Sequence, residues 1–183
     1  MDLDACWVGV QVRADFRMSE NHIASAQPDL HKLNVLFVDA STRTRELMRA
    51  LLAGFAVRSV RLAETGEEAL GILKRKDVGL IITDWQLAPM DGFAFIRRVR
   101  AVANYPKAII PIMVLSAKVD PKIVETALEA GANHFVTKPV VPAKLLERIH
   151  WALADRRPYV IEKGRYVLQR GVASGETEEA VFL

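Results

Sequence analysis

The feature that most constrains the fold of this chain is a fivefold alternation between short apolar runs and amphipathic segments across residues 33–154. The apolar runs are rich in Val, Ile and Leu without strict polar alternation, which is typical of strands that are buried on both faces. The segments between them carry apolar residues at the spacing of one helix face. The sequence therefore predicts an α/β fold, with a doubly wound, five-stranded parallel sheet connected by right-handed crossovers.

The same alternation predicts where each element lies. Thr65 and Glu68 stand three residues apart at one helix start, and Asp120 followed by Pro121 marks another, because these residue types satisfy or remove the free amide groups of a first turn. The predicted strands are 35–40, 58–62, 78–84, 109–115 and 134–138. The predicted helices are 42–53, 65–76, 93–103, 120–131 and 143–154.

Composition places the chain among ordinary globular proteins. Of its 183 residues, 51% are hydrophobic and 26% are charged, with a net charge of +3. The one cysteine, Cys6, excludes an intramolecular disulfide framework and favours a reducing compartment, so a cytoplasmic location is expected. The longest apolar run, 109–115, contains Pro111 and is far shorter than the roughly 18 residues of a membrane span.

The two ends of the chain differ in pattern from its middle. Residues 1–32 lack periodicity and are predicted to be a mobile leader, whereas 33–154 are predicted to be the folded domain. The extension 155–183 is basic at first and acidic towards its end. Within it, the β-prone runs 159–161 and 165–168 flank a glycine-bearing turn and predict a hairpin. Because an isolated hairpin is marginal in water, we expect this arm to pack on the domain or on a second copy of the chain.

Four polar residues stand at or just after the ends of predicted strands. In an open parallel sheet, ligands bind beyond the carboxyl ends of the strands. Carboxylates favour a hard divalent cation such as Mg²⁺, whereas an ammonium group and a hydroxyl suit phosphoryl oxygens. Each residue alone could be a helix cap, a turn residue or a surface charge, but together they indicate one site for a cation and an oxyanion. These residues are Asp39, Asp84, Ser116 and Lys138.

Four motifs surround these residues, in the order VLFVDAS, IITDWQLAPMDG, VLSA and FVTKP. Together they resemble the motifs of the response regulator receiver domain of two-component signalling, and the resemblance covers 33–154. It implies a flavodoxin-like receiver fold and a phosphorylation-dependent signalling switch in the cytoplasm rather than an enzyme. The partners that it implies are a sensor histidine kinase or phosphotransfer protein and a downstream protein target. Direct binding to DNA or to a membrane is not expected, and a homodimer is left open.

The resemblance also implies a role for each residue of the site. Asp84 would be the phosphoacceptor that forms an aspartyl phosphate, and Lys138 would pair with its carboxylate and with the phosphoryl group. Ser116 would hydrogen-bond a phosphoryl oxygen, and Phe135 would be the switch residue that reports this movement to the output face, formed by the fourth helix, the fifth strand and the fifth helix. The arm of the extension is expected to pack on this output face or to reach a second copy of the chain. The ligands implied for Mg²⁺ are Asp39, Asp84 and the backbone carbonyl of Gln86.

The sequence departs from the family pattern at three positions. Receivers usually end their first strand with two adjacent acids, whereas here the pair reads Asp39-Ala40, so one metal carboxylate is missing and weaker Mg²⁺ binding is expected. The proline that usually lies four residues after the phosphoacceptor is one residue later, at Pro89. The switch position often carries Tyr, and Phe135 lacks that hydroxyl. Arg45, on the first helix, is expected to face solvent or a partner.

Two alternatives remain open from the sequence. A degenerate receiver could act without phosphorylation, as an adaptor or as a module that binds an anionic ligand such as a cyclic dinucleotide through arginines of the extension. An enzyme of the haloacid dehalogenase type would also use an aspartate at a strand end, but the position of its second acid is occupied by Gln86. The arginines of the extension are Arg156, Arg157, Arg165 and Arg170.

Overall fold

The structure is a computed structural model that describes residues 28–117 and 120–169. The predicted leader therefore lies almost entirely outside the described residues, as do Arg170 and the acidic end of the extension. Within the described ranges, no helix is long and apolar enough to cross a membrane.

A five-stranded parallel sheet forms the centre of the molecule, as the sequence predicts. Counted along the chain, the strands stand in the order second, first, third, fourth, fifth. The chain starts inside the sheet, winds to one edge and then to the other, which is the doubly wound topology. The strands are β1 (Asn34–Val38), β2 (Ser59–Ala63), β3 (Leu80–Asp84), β4 (Ile112–Ser116) and β5 (His134–Thr137). The helices are α1 (Thr42–Gly54), α2 (Gly66–Arg75), α3 (Gly92–Val99), α4 (Pro121–Ala130) and α5 (Pro142–Ala154).

The two faces of the sheet carry two separate hydrophobic cores. Along β1, Leu36 and Val38 point to a core shared with α2, α3 and α4, whereas Val35 and Phe37 point to a core shared with α1 and α5. All four side chains are completely buried. This placement follows from the alternation of side chains along a strand and explains why the strand runs are apolar at every position.

Most of the helices begin where the sequence predicts, because the expected caps form. At the start of α2, the Thr65 hydroxyl accepts from the Glu68 amide at 3.2 Å, while the Glu68 carboxylate accepts from the Glu64 amide at 2.8 Å. Asp120 accepts from the Lys122 amide at 2.8 Å at the start of α4. Each contact satisfies an amide that has no partner within the helix.

Two boundaries differ from the prediction by three residues or more. The fourth strand begins at Ile112 rather than Ile109, because Lys107–Ile109 form a 3₁₀ turn and Pro111 has no amide to donate to the ladder. The third helix ends at Val99 rather than at residue 103, because Ala101 leaves the helical conformation to bridge to Arg165 of the extension, and a 3₁₀ turn follows at Val102–Asn104.

The extension forms an antiparallel hairpin of β6 (Tyr159–Glu162) and β7 (Arg165–Leu168). Lys163 and Gly164 form the turn with φ angles of 49° and 76°. Two successive positive φ angles define the type I′ turn, whose twist matches that of the strands, and glycine adopts the second angle without strain.

The hairpin packs at the amino-terminal end of the sheet, which corrects the prediction that it lies on the output face. The Val102 amide donates to the Gly164 carbonyl at 3.1 Å, and the Tyr166 amide donates to the Arg100 carbonyl at 2.8 Å. The Tyr159 hydroxyl lies 3.0 Å from the Asn133 side-chain amide. The arm thus binds where the backbone after α3 offers it hydrogen-bonding groups, although α5 is nearer to the arm in the sequence.

Candidate functional site

The carboxyl ends of the parallel strands bring the four polar residues to one edge. Asp39 follows β1 directly, Asp84 and Ser116 are the last residues of β3 and β4, and Lys138 follows β5. The Lys138 amide donates to the Ser116 carbonyl at 2.8 Å, which extends the β4–β5 ladder into the site.

Lys138 joins the two carboxylates. Its Nζ atom lies 2.8 Å from Asp39 Oδ2 and 3.1 Å from Asp84 Oδ2. The exposed fractions of the side chains are 22% for Lys138, 3% for Asp39 and 15% for Asp84, so the ion pairs are only partly reached by water. Burial by itself lowers the pKa of Lys138, but the hydrogen bond with Asp39 and the charges of Asp84 and Asp39 outweigh it, and the pKa is raised.

The turn after β1 holds Asp39 in place. Its amide donates to the Ala63 carbonyl at 3.1 Å, and its Oδ1 atom accepts from the Ser41 amide at 2.8 Å. Oδ2 is the atom that pairs with Lys138. Asp39 thus uses one oxygen to order its own loop and directs the other into the site.

Arg45 also belongs to this turn, contrary to the expectation that it faces solvent or a partner. Its Nη1 atom donates to the carbonyls of Asp39 at 2.6 Å and of Ala40 at 2.9 Å. Its Nη2 atom pairs with Glu64 at 3.0 Å, and its side chain is only 12% exposed. Arg45 therefore ties the β1–α1 turn to the end of β2. Nothing in the helical pattern around it separates such an arginine from a surface one.

The loop after Asp84 is shaped by Gly92. The Gly92 amide donates to the Trp85 carbonyl at 3.0 Å, and a Cβ atom at Gly92 would lie 2.8 Å from that oxygen. A larger residue would force the loop away from the site, so the close approach requires glycine. Gln86, whose backbone carbonyl is the implied metal ligand, is exposed in this loop.

The two residues implied in switching lie in different surroundings. Ser116 is completely buried at the edge of the site. Phe135 is 4% exposed and belongs to the core shared with α2, α3 and α4. In this structure the aromatic side chain therefore points inward.

The donors at this edge fit a magnesium ion, with fewer charges than the family pattern provides. Mg²⁺ in proteins is commonly held by one or two carboxylates together with waters and substrate phosphate oxygens. Asp39 and Asp84 supply the carboxylates, and the Gln86 carbonyl is a further donor. Ala40 adds none, and no group of three or more His, Cys, Asp or Glu residues suited to a metal occurs within the described part of the chain.

Comparison with known proteins identifies the family of this domain. The family model for the response regulator receiver domain matches residues 35–150. A chemotaxis protein CheY homologue from Campylobacter jejuni is 34% identical over 118 residues, which cover 64% of this chain and 89% of the relative. Chemotaxis protein CheY1 from Helicobacter pylori is 31% identical over 122 residues, which cover 66% of this chain and 97% of the relative.

Solved structures show the same architecture. Chemotaxis protein CheY4 of Vibrio cholerae is similar with a TM-score of 0.62 and 29% identity, over 67% of this chain and 99% of that one. A putative response regulator from Chloroflexus aurantiacus gives a TM-score of 0.62 with 31% identity, over 68% of this chain and 99% of that one. The residues matched by the family model include Asp39, Asp84, Ser116 and Lys138. The chain therefore belongs to the response regulator receiver domain family.

Proposed function

We propose that this protein is a phosphorylation-dependent switch in which Asp84 accepts a phosphoryl group from a phosphohistidine. The observation that carries the proposal is the bridge from Lys138 to the carboxylates of Asp84 and Asp39. This arrangement holds a partly exposed carboxylate beside a permanent positive charge. The donor is a sensor histidine kinase or a phosphotransfer protein, and a downstream protein target receives the signal in the cytoplasm.

The chemistry is an in-line transfer of the phosphoryl group. An Asp84 carboxylate oxygen forms a bond to phosphorus while the bond from phosphorus to the imidazole nitrogen of the donor breaks, and that nitrogen keeps the electron pair. Lys138 stabilises the negative charge on the phosphoryl oxygens, and the Ser116 hydroxyl donates a hydrogen bond to one of them. Positioning and charge neutralisation supply most of the catalysis in such transfers.

Magnesium, when bound through Asp39, Asp84 and the Gln86 carbonyl, would supply further neutralisation of that charge. Because Ala40 stands where the family usually has a carboxylate, the attraction for the ion is weaker than in a site with three acids. One missing charge at a few ångströms changes this attraction by roughly 1 to 4 kcal/mol, depending on the local dielectric.

The switch runs from Ser116 to Phe135. Movement of the Ser116 hydroxyl towards the phosphoryl group would open space beside β5, and the Phe135 ring would follow it. The buried position of this ring is the resting arrangement in this proposal. The output face of α4, β5 and α5 then changes shape for its protein target.

Phosphorylation of the full chain with acetyl phosphate and Mg²⁺ tests the proposal. Intact-mass spectrometry should show one added phosphoryl group, and Asp84→Asn should lose it. Asp91→Asn is the matched control, because Asp91 is a nearby carboxylate that caps α3 and asparagine retains this cap. Equal labelling of the wild type and Asp84→Asn would reject Asp84 as the acceptor.

A second candidate function, signalling without phosphorylation, is favoured by Ala40. Titration with beryllofluoride and Mg²⁺ separates the two, since only a competent acceptor binds this phosphoryl mimic. The anion-binding form of this alternative gains less support, because the Arg157 guanidinium pairs with Asp155 at 2.7 Å and donates to the Asn133 carbonyl at 3.3 Å. Arg165 is partly buried, and Arg170 lies outside the described residues.

A further inference from the structure

The strand β6 is the open edge of a second, smaller sheet. Within the described residues, β6 pairs with β7 alone, and β7 pairs on its other side with the backbone of Arg100–Val102. No described residue forms a hydrogen bond with the backbone groups on the outer edge of β6. Another strand can form hydrogen bonds with such an edge.

The hydrogen bonds of the hairpin fix which residues of β6 face β7. Glu162 pairs with Arg165 across the two-residue turn, and at the other end the Gln169 amide donates to the Pro158 carbonyl at 2.9 Å. Hydrogen-bonded and non-bonded pairs alternate along an antiparallel ladder. Val160, which lies between these two pairs in the register, therefore directs its backbone groups to β7.

The same alternation directs the backbone groups of Tyr159 and Ile161 outward. The pattern on β7 agrees, because the Tyr166 amide, which is opposite Ile161, points away from the hairpin and donates to the Arg100 carbonyl at 2.8 Å. Two amides and two carbonyls thus lie along the free edge of β6. Proline stands at neither of the outward-facing positions.

We propose that β6 pairs in antiparallel orientation with β6 of a second copy of this chain. A twofold axis at Val160 places Tyr159 of each copy opposite Ile161 of the other, so that both pairs exchange N–H···O bonds in each direction. The two small sheets become one continuous sheet. The interface is isologous, because the same strand supplies both sides.

The side chains of β6 suit this pairing. Ile161 is 59% exposed, and the pairing covers it with Tyr159 of the second copy. The two Val160 side chains meet at the axis in a non-hydrogen-bonded pair, where cross-strand side chains approach most closely. Apolar contact is thereby added at the centre of the interface.

The charges at the two ends of the strand are complementary. In this register Glu162 lies opposite Pro158 of the second copy and diagonal to its Arg156, on the same face of the sheet. Both Glu162 and Arg156 are exposed. Because Arg156 precedes the strand and Glu162 ends it, antiparallel self-pairing brings opposite charges together twice, whereas parallel pairing would place like charges side by side. This self-complementarity favours a second copy over an unrelated strand.

Sedimentation equilibrium of the full chain over a dilution series measures this association. Wild type should form a dimer. Glu162→Arg and Arg156→Glu should each raise the dissociation constant of this dimer about tenfold, because each change makes both diagonal pairs repulsive. The double variant restores opposite charges and should return the constant to that of wild type. Glu147→Arg, an equal charge change on the exposed side of α5, should have no effect.

Ile161→Pro tests the backbone bonds directly. It removes an amide that faces outward while retaining all hydrogen bonds between β6 and β7, so it should give a folded monomer. A wild-type chain that is monomeric over the whole dilution series would overturn the proposal. A dimer that withstands Ile161→Pro and both charge reversals would overturn it equally. The test is separate from phosphorylation, because the Asp84 site lies at the other end of the sheet.

Discussion

The two ends of the parallel sheet each bury a positive charge, and they hold it in different ways. At the carboxyl end, Lys138 pairs with two carboxylates and keeps 22% of its side chain exposed. At the amino end, Arg100 is completely buried and donates to neutral acceptors, with Tyr159 stacked over its guanidinium at 5.1 Å. These acceptors are the carbonyls of Ala108, Ile110 and Gly131 and the side-chain oxygen of Asn133.

This difference distinguishes the candidate reaction site around Lys138 from Arg100, whose charge supports the fold. Burial lowers the pKa of Arg100 to about 10, so the guanidinium stays charged at neutral pH although its described hydrogen bonds include no carboxylate. The position of the guanidinium is fixed by three backbone carbonyls and one buried side chain, all of which are part of the folded domain. Lys138, in contrast, pairs with the two carboxylates that we propose as metal ligands, one of which, Asp84, is the proposed phosphoacceptor. A cation beside exchangeable partners can take part in a reaction, whereas a cation enclosed by backbone carbonyls can only stabilise the fold.

The largest expected effect comes from removing the structural cation. Arg100→Met should lower the free energy of unfolding by about 3–5 kcal/mol, because it leaves several buried acceptors without donors. Urea denaturation measures this loss. Arg98→Met is the control, since Arg98 is 61% exposed, and it should change the stability by no more than about 0.5 kcal/mol. Similar effects of the two substitutions would show that the buried hydrogen bonds of Arg100 contribute little.

Removing the other cation should have a smaller, pH-dependent effect. Lys138→Met should cost about 2 kcal/mol near neutral pH, because Asp39 stays buried without its partner. Since the folded-state pKa of Lys138 is raised above its usual 10.5, its contribution is fully present below that pH and is lost as the pH rises through the raised value. Denaturation at a series of alkaline pH values should therefore show the two proteins converging. A constant difference across this range would contradict the ion-pair account.

Restoring the missing acid at position 40 should raise the Mg²⁺ affinity and lower the stability of the metal-free protein. Ala40→Asp should tighten Mg²⁺ binding about tenfold, measured by calorimetry, and should lower the metal-free unfolding free energy by about 1 kcal/mol, because three carboxylates repel one another. Excess Mg²⁺ should reverse the loss of stability. Ala40→Asn, which has similar size without the charge, serves as the control. Equal Mg²⁺ affinities for the wild type and Ala40→Asp would show that another group already replaces the carboxylate.

The smallest expected effect concerns the connection to the hairpin. Burial raises the pKa of Asp155, but hydrogen bonds from Arg157 and Asn133 outweigh it, and the pKa lies below its usual 3.8. Its stabilisation is present above pH 3.8 and is lost as the pH falls through the lowered value. Asp155→Asn should cost about 1 kcal/mol at neutral pH and should lose this acid dependence. Faster amide exchange confined to 159–168 would locate the effect, and unchanged exchange there would contradict it.

The sheet and the edge that carries the site could be predicted because their signals are local. A β-branched run without polar alternation indicates a buried strand, and parallel strands necessarily bring their carboxyl ends together. Asp39, Asp84 and Lys138 therefore fall at one edge on the basis of sequence order alone. Their roles in phosphoryl transfer stay predictions.

The burial of Arg100 could not be predicted, because its surroundings are assembled from separate parts of the chain. In the sequence, Arg100 continues the polar face of a helix, yet its acceptors lie in the loops before β4 and β5. Gly131 has a φ of 110°, and its Cβ position would lie 2.9 Å from the Arg100 Cγ atom, so this cage needs glycine at that position. The expectation for Arg45 is wrong for another reason: its acceptors are carbonyls of the nearby β1–α1 turn, whose conformation the helical pattern does not show. The hairpin could be predicted from its own residues, but the surface on which it packs could not.

The enclosure of Arg100 has a consequence for synthesis of the chain. Its four acceptors all lie within 33 residues of it, so they emerge from the ribosome soon afterwards. The Tyr159 ring, which stacks on the guanidinium, and Tyr166, which binds the backbone of the same residue, emerge after α5. Domains generally fold as units while the chain is still being made. The nascent receiver should therefore fold with one face of its buried cation still open to water, and the arrival of the hairpin closes that face as the last step of assembly.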